Sequence, residues 1–179
     1  MSRKIIFNLA MSLDGYIADK NGGFDWIKGD NDKSHDTKKQ FSFPDFIDSL
    51  DIIIIGKRAY QDAPPGTFEM FESKKIYVTS SKKLELKHKN IEFIQGDIVT
   101  QILKLKKEKG KDIWLFGGAG SINPFIKADV IDEYIVGIIP IILGKGIPLF
   151  LEDNPRLKLH LEETTIQEGI VISRYTRKK

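Results

Sequence analysis

The sequence predicts an α/β domain with a central, mostly parallel sheet flanked by helices and closed by antiparallel C-terminal strands. Three observations predict it. The run Asp51-Ile52-Ile53-Ile54-Ile55-Gly56 has no polar alternation, as expected of a strand covered on both faces. Between Ile91 and Lys127, short β-like runs alternate with stretches of helical spacing. After Ile131 only extended segments follow, a pattern that adds antiparallel strands to a parallel sheet.

Composition narrows the function class. A chain of 179 residues, 41% hydrophobic and 30% charged, fits one ordered domain over residues 1–179. No apolar run reaches the roughly 18 residues of a spanning helix, so no membrane partner is expected. Met1-Ser2-Arg3-Lys4 leads into only Ile5-Ile6-Phe7 before polar Asn8, so no secretory leader is expected. The chain has no cysteine, which excludes disulfides and thiolate chemistry, and the expected compartment is the cytoplasm. His35, His88 and His160 are scattered, so no metal site is expected. The net charge is +3, and the densest lysine run, Lys104 to Lys111, reads as a solvated helix face rather than a nucleic-acid footprint.

In chain order, Arg3 to Ala10 reads as a buried first strand interrupted by Asn8. A buried amide needs partners, so Asn8 is either a structural anchor or a group aimed at a ligand. A long loop with a short strand-like piece runs from Ser12 to Ile27, and its length suits a functional loop. Asp32 to Leu50 reads as a helix with Phe41, Phe43, Phe46, Ile47 and Leu50 towards the core, and a break is expected at Pro44. The isoleucine strand empties into Gly56-Lys57-Arg58-Ala59-Tyr60, and Gln61 to Ser73 reads as loop. Lys75 to Thr79 is a strand ending in Thr79-Ser80-Ser81-Lys82. Ile91 to Gln95 is a short strand, and Asp97 is placed to cap a helix reaching about Glu108. Ile131 to Ile139, Lys158 to Thr165 and Ile170 to Thr176 are extended.

The run Ile113-Trp114-Leu115-Phe116-Gly117-Gly118-Ala119-Gly120-Ser121 is a buried strand opening through glycines into a helix expected over Ser121 to Lys127. Unpaired N–H groups and the helix dipole at such a junction suit a phosphate. In a parallel sheet, ligands bind at the strand C-terminal ends. Gly56-Lys57-Arg58, Thr79-Ser80-Ser81-Lys82 and Gly117 to Ser121 therefore belong to one edge and suit an elongated, phosphorylated dinucleotide.

Six pieces carry a family resemblance: Met11-Ser12-Leu13-Asp14-Gly15-Tyr16-Ile17-Ala18, Asp25-Trp26, Ile54 to Tyr60, Val78-Thr79-Ser80-Ser81, Phe116 to Gly120, and Pro140 to Phe150. Together they resemble the dihydrofolate reductase-like fold, in its branch similar to the C-terminal reductase domain of bacterial riboflavin-biosynthesis proteins (RibD C-terminal-like). The resemblance implies an NADPH-dependent reductase acting on a small pterin- or pyrimidine-like molecule, and a homodimer joined around Ile138 to Phe150. By resemblance, the backbone of Ala10 and Ile17 holds the nicotinamide carboxamide. Lys57, Arg58 and Ser80 to Lys82 receive the 2′-phosphate, and Gly117, Gly118, Ala119 and Gly120 the pyrophosphate. Asp30, Asp32 and Asp36 crowd the neighbourhood of the family's acidic residue, and Lys74 stands where folate reductases carry an arginine for the folate tail.

Asp14 is the first candidate for a catalytic polar contact, with an Asx-turn before Gly15 as the alternative, and Asp32 is the second. Asp25 and Trp26 either line the substrate pocket or fasten their loop. Beside the reductase reading stand dihydrofolate reduction and a nucleotide-binding protein without catalysis.

Overall fold

The isoleucine run feeds two separate cores, because successive side chains of a strand point to opposite faces. Ile52 and Ile54 join one core, and Ile53 and Ile55 the other. The computed structural model describes residues 3–82 and 88–178. Its elements are β1 (Ile5–Ser12), β2 (Tyr16–Asp19), α1 (Phe43–Asp48), β3 (Leu50–Gly56), α2 (Lys57–Asp62), β4 (Lys75–Thr79), β5 (Ile91–Ile94) and α3 (Ile98–Lys106), followed by β6 (Asp112–Gly117), α4 (Ala119–Lys127), β7 (Glu133–Ile139), β8 (Gly146–Pro148), β9 (Leu159–Gln167) and β10 (Ile170–Arg177).

The main sheet has the order β5-β4-β3-β6-β1-β7-β10-β9. Every pairing from β5 to β7 is parallel, so the C-terminal ends of these strands share one edge. β10 and β9 complete the sheet in antiparallel sense, as the sequence predicts. β2 and β8 form a separate two-stranded piece beside it. One face is covered by α3 and α4, through Ile102, Ile122, Phe125 and Ile126. The other is covered by Phe46 of α1 and Phe71 of a single 3-10 turn (Glu69–Phe71), packed on Ile53, Ile76 and Trp114. Among the described residues, no helix is long and apolar enough to cross a membrane.

Three helix boundaries differ from the sequence reading. The helix expected from Asp32 begins only at Phe43, where the Ser42 hydroxyl accepts from the Asp45 N–H at 3.3 Å and Pro44 sits in the tolerant first turn. Upstream, the Asp30 and Asp32 carboxylates accept from the N–H groups of Asp32 and Ser34, at 2.9 and 2.8 Å. These local turns compete with helix. α2 occupies part of the expected loop and stops at Ala63, which extends ahead of Pro64. α4 starts two residues before Ser121, and Pro124 lies inside it. The Asp97 cap is as expected, accepting from the Thr100 N–H at 3.0 Å.

Candidate active site

The three turns named from the sequence meet at one point. The Thr79 hydroxyl at the end of β4 donates to the Ser121 hydroxyl of α4 at 3.1 Å and lies 3.5 Å from the Ile55 carbonyl of β3. A Cβ at Gly56 would stand 2.2 Å from Ser121 Oγ, so only glycine lets β3 and α4 approach this closely. Gly117 has φ +148°, a backbone that favours glycine, and turns β6 into α4. No side chain caps α4 at Gly118, so its first N–H groups are unpaired by the helix itself. A Cβ at Gly118 or Gly120 would meet no heavy atom within 4 Å. The glycine turn therefore fronts open space at an electropositive helix end, and a phosphate group fits there.

Cationic side chains flank it. Lys57 is half-buried at the start of α2, and Arg58 is exposed with a 3.4 Å pair to Asp62. The Arg58 guanidinium approaches to 3.3 Å of where a Cβ would stand on Gly22, so the loop after β2 comes down against this turn. Ser81 and Lys82 are exposed, while the Ser80 hydroxyl is spent within its own turn on Lys82, accepting from its N–H at 3.1 Å.

The loop after β2 holds itself. Asp19 accepts from the N–H groups of Asn21 and Gly23, at 2.7 and 2.9 Å, and the Gly23 bond is the main cause that lowers its pKa. Trp26, 7% exposed, donates from its indole to the Gly23 carbonyl at 3.1 Å and so fastens the loop. Asp25 is exposed, without a partner among the described residues.

Asp14 joins the end of β1 to the loop before β8. It accepts from the Ser12 hydroxyl at 2.6 Å and from the N–H groups of Leu143 and Gly144 at 3.1 and 2.7 Å. The Ser12 bond above all, then the two N–H groups, hold its carboxyl below the usual carboxylate range. Asp32 is likewise lowered, mainly by the Ser34 N–H. Both are anions at neutral pH, engaged in loop turns. Lys74 is a correction to the expected substrate contact. It is buried and donates to the Leu50 carbonyl at 2.9 Å, where β3 and β4 begin, at the other end of those strands from the turns.

Beside the turns, on the face carrying α1, lies an aromatic wall. Trp114 meets Phe43 and Phe46 edge to face at 5.9 and 5.2 Å and Phe116 at 4.7 Å. Asn8 follows Ile6 on the same face of β1, and its carbonyl accepts from the Trp114 indole at 3.0 Å. Ala10, next on that face, is opposite Gly137 of β7. Ile17 lies on β2, which packs beside β1. Sequence reasoning placed Phe43 in the core and Phe116 in a buried strand, whereas Phe43 is exposed and both belong to the wall. The two-residue spacing of Trp114 and Phe116 was the available signal, since it puts both rings on one face.

A parallel sheet closed by antiparallel strands, with glycine-bearing and cationic turns at one sheet edge, has the dihydrofolate reductase-like α/β fold. The RibD C-terminal domain family matches residues 3–172, and the chain belongs to that family. Among curated proteins it is 36% identical to the uncharacterized protein YyaP of Bacillus subtilis (strain 168), covering 94% of this chain and 92% of that one. It is 35% identical to YwjB of the same organism, covering 92% of each. Among solved structures, a Shewanella sp. PV-4 protein with a provisional riboflavin-biosynthesis name superposes over the whole of both chains, at TM-score 0.77 and 27% identity. A Thermotoga maritima diaminohydroxyphosphoribosylaminopyrimidine deaminase/5-amino-6-(5-phosphoribosylamino)uracil reductase matches at TM-score 0.71 and 17% identity, over 99% of this chain and 57% of that one. Enterococcus faecalis dihydrofolate reductase, complexed with NADP(H), has the same fold at TM-score 0.64 and 13% identity, with full coverage of both.

Proposed function

We propose that this protein is a cytoplasmic, homodimeric, NADPH-dependent reductase that transfers hydride to a small pterin- or pyrimidine-like heterocycle, in the manner of 5-amino-6-(5-phosphoribosylamino)uracil reduction. The observation that carries the reading is the convergence of three turns at one sheet edge: an open glycine turn on a helix start and two turns bearing exposed cations, all beside an aromatic cleft. The activity in the Thermotoga protein's name and the NADP(H) in the Enterococcus complex agree with it.

The residues present fit such a cofactor, which when bound supplies the hydride. The α4 start at Gly118 to Gly120 would hold the pyrophosphate by backbone N–H groups and the helix dipole. Lys57, Arg58, Ser81 and Lys82 would hold the 2′-phosphate through charge-assisted hydrogen bonds. Phe43, Trp114 and Phe116 exclude water from the ring cleft and fix the plane in which a flat substrate lies. Asp14 and Asp32, both ionised, store no proton at neutral pH, so water is the proton source in this reading. The engaged ammonium of Lys74 leaves no cation there for a folate tail, which favours the smaller heterocycle.

Gly120→Ala tests the reading and separates binding from packing. The added methyl meets nothing in the protein and raises helix propensity, so the melting temperature holds or rises. NADPH affinity, measured by calorimetric titration, falls by about tenfold or more as the methyl enters the pyrophosphate position. Unchanged affinity would make the glycine turn a packing device only.

A further inference from the structure

The strap between Trp26 and α1 is held mainly by polar bonds. Residues 27–40 form no helix or strand and none of them is buried, so apolar packing does not fix their course. They are tied instead to the hairpin of β9 and β10, at the outer edge of the sheet. The Thr37 N–H donates to the Ile166 carbonyl at 3.0 Å, and the Thr37 hydroxyl accepts from the Ile166 N–H at 3.1 Å. The Asp30 N–H donates to the Glu168 carbonyl at 2.9 Å, and Lys33 pairs with the Glu168 carboxylate at 3.2 Å. Asp36 accepts from the Glu168 N–H at 2.7 Å with one oxygen and from the Gln40 side-chain amide at 2.9 Å with the other.

This tie is built at a conformational cost. Glu168 at the hairpin tip has φ +50° and Asn31 of the strap has φ +66°, a left-handed backbone that non-glycine residues rarely adopt. A Cβ at Gly29 would collide with the Glu168 carbonyl oxygen, and one at Gly169 with the Asp30 carboxylate, so only glycine permits this approach. Strained positions persist where surrounding contacts over-determine them, and they cluster at functional sites. A mere connection between β2 and α1 needs no such tie.

The aromatic wall begins where the tie ends. Just beyond Gln40, the Phe41 ring lies 6.0 Å from Phe46, and Phe43 meets Trp114 edge to face at 5.9 Å. Ile172 of β10, in the hairpin itself, packs on the core that contains Phe46 and Trp114. Asp36 joins the two sides, with the hairpin N–H on one oxygen and the amide next to Phe41 on the other. We propose that Asp36 is a positioning residue that fixes Phe41 and Phe43 relative to the hairpin and so sets the shape of the ring cleft. Both of its oxygens are spent within the protein, so it acts through the wall rather than on a substrate. The inference rests on the reductase reading for the use of the cleft and deepens it by naming what holds the wall in place.

Asp36→Ala removes both bonds, whereas Asp36→Asn keeps an oxygen that accepts from the Glu168 N–H. Hydrogen–deuterium exchange of the full-length protein without ligand reads the tie. Asp36→Ala is expected to speed exchange about tenfold or more in the strap and also in α1, while Asp36→Asn stays within about twofold of wild type. Pterin and diaminouracil, titrated calorimetrically into each protein with saturating oxidised NADP, read the cleft. Asp36→Ala is expected to bind them about tenfold more weakly than wild type, because a wall no longer preorganised must be ordered on binding, and Asp36→Asn restores the affinity. NADPH affinity stays within about twofold in both variants, since Asp36 shares no partner with the cofactor turns. Exchange that rises in the strap alone would make Asp36 a loop tie without influence on the wall and would overturn the inference. So would unchanged ring affinity in Asp36→Ala, an equal loss in Asp36→Asn, or an equal loss of NADPH affinity. A wild type that binds neither NADPH nor the rings would overturn the reductase reading, and the exchange comparison would still decide whether Asp36 holds the wall.

Discussion

Substituting Gly56 tests whether the junction of β3, β4 and α4 is as tight as the distances imply. In Gly56→Ala the new methyl lands 2.2 Å from Ser121 Oγ, inside any permitted contact. Ser121 must turn away, which breaks its 3.1 Å bond to Thr79 and leaves the Thr79 hydroxyl only the long contact to Ile55. The lost hydrogen bond is worth about 1 kcal/mol and the overpacking about 1–2 kcal/mol more. A total of about 2–3 kcal/mol corresponds to roughly 4–12 °C in melting temperature for a domain of this size. Ser121→Ala alone loses only the hydrogen bond. In the double variant the methyl faces the Ser121 Cβ at 3.4 Å, a tight contact that a small adjustment relieves. Urea unfolding followed by tryptophan fluorescence should therefore find the double variant more stable than Gly56→Ala by about 1–2 kcal/mol, a coupling of neighbours. Additive losses, with the double variant the least stable, would refute the reasoning.

Asp14 predicts an acid-limb effect. Its carboxyl is lowered by the Ser12 hydroxyl and the Leu143 and Gly144 N–H groups, so its contribution is complete above the unfolded carboxylate pKa of about 3.9 and is lost as pH falls through the lower folded value. The difference in melting temperature between wild type and Asp14→Ala should persist at pH 7 and pH 5 (about a unit above that value) and shrink as the carboxyl protonates. Tyr134 predicts the opposite limb. It is 2% exposed, its hydroxyl is unpaired among the described residues, and burial, with Asp129 adding, pushes it up to about 12. The unfolded phenol ionises near pH 10, so wild-type stability falls as pH rises above that. Tyr134→Phe should be neutral or stabilising by about 1 kcal/mol and should lose that alkaline decline, read from melts across pH 8–11. Exposed Leu13 and Ile142, 62% and 70% accessible, are brought together by the 2.8 Å bond from the Leu13 N–H to the Ile141 carbonyl. Light scattering should report a dimer that Ile142→Asp converts to monomer, and a monomeric wild type would refute the dimer.

The parts of the fold legible in the sequence were those set by local pattern. The isoleucine strand, the Asp97 cap and the glycine junction each carry their signal within a few residues, and the strand-helix alternation orders them into a parallel sheet. The segment from Asp32 to Gln40 misled because the helical spacing that begins at Phe41 was extended back over it, while its aspartates favour turns, as the observed hydrogen bonds show. Lys74 misled because resemblance placed its type and position but not the Leu50 carbonyl that takes its ammonium. That the three turns converge could be argued from parallel topology, whereas the fit of Ser121 against Gly56 and Thr79 depends on register between distant strands. Asn8 was legible as an anomaly in an apolar strand. That its Nδ2 has no partner among the described residues emerged only with its neighbours in place.

The central claim is a nucleotide site that prefers the 2′-phosphate, and a comparison of NADPH with NADH tests it most directly. Trp114, buried against the aromatic wall of the cleft, gives the fluorescence readout. Wild type should bind NADPH more tightly than NADH by about tenfold or more, the worth of one charge-assisted hydrogen bond, and Lys57→Ala/Arg58→Ala should lose that margin while keeping its NADH affinity. Equal affinities in wild type, or a margin that survives the double substitution, would contradict the account.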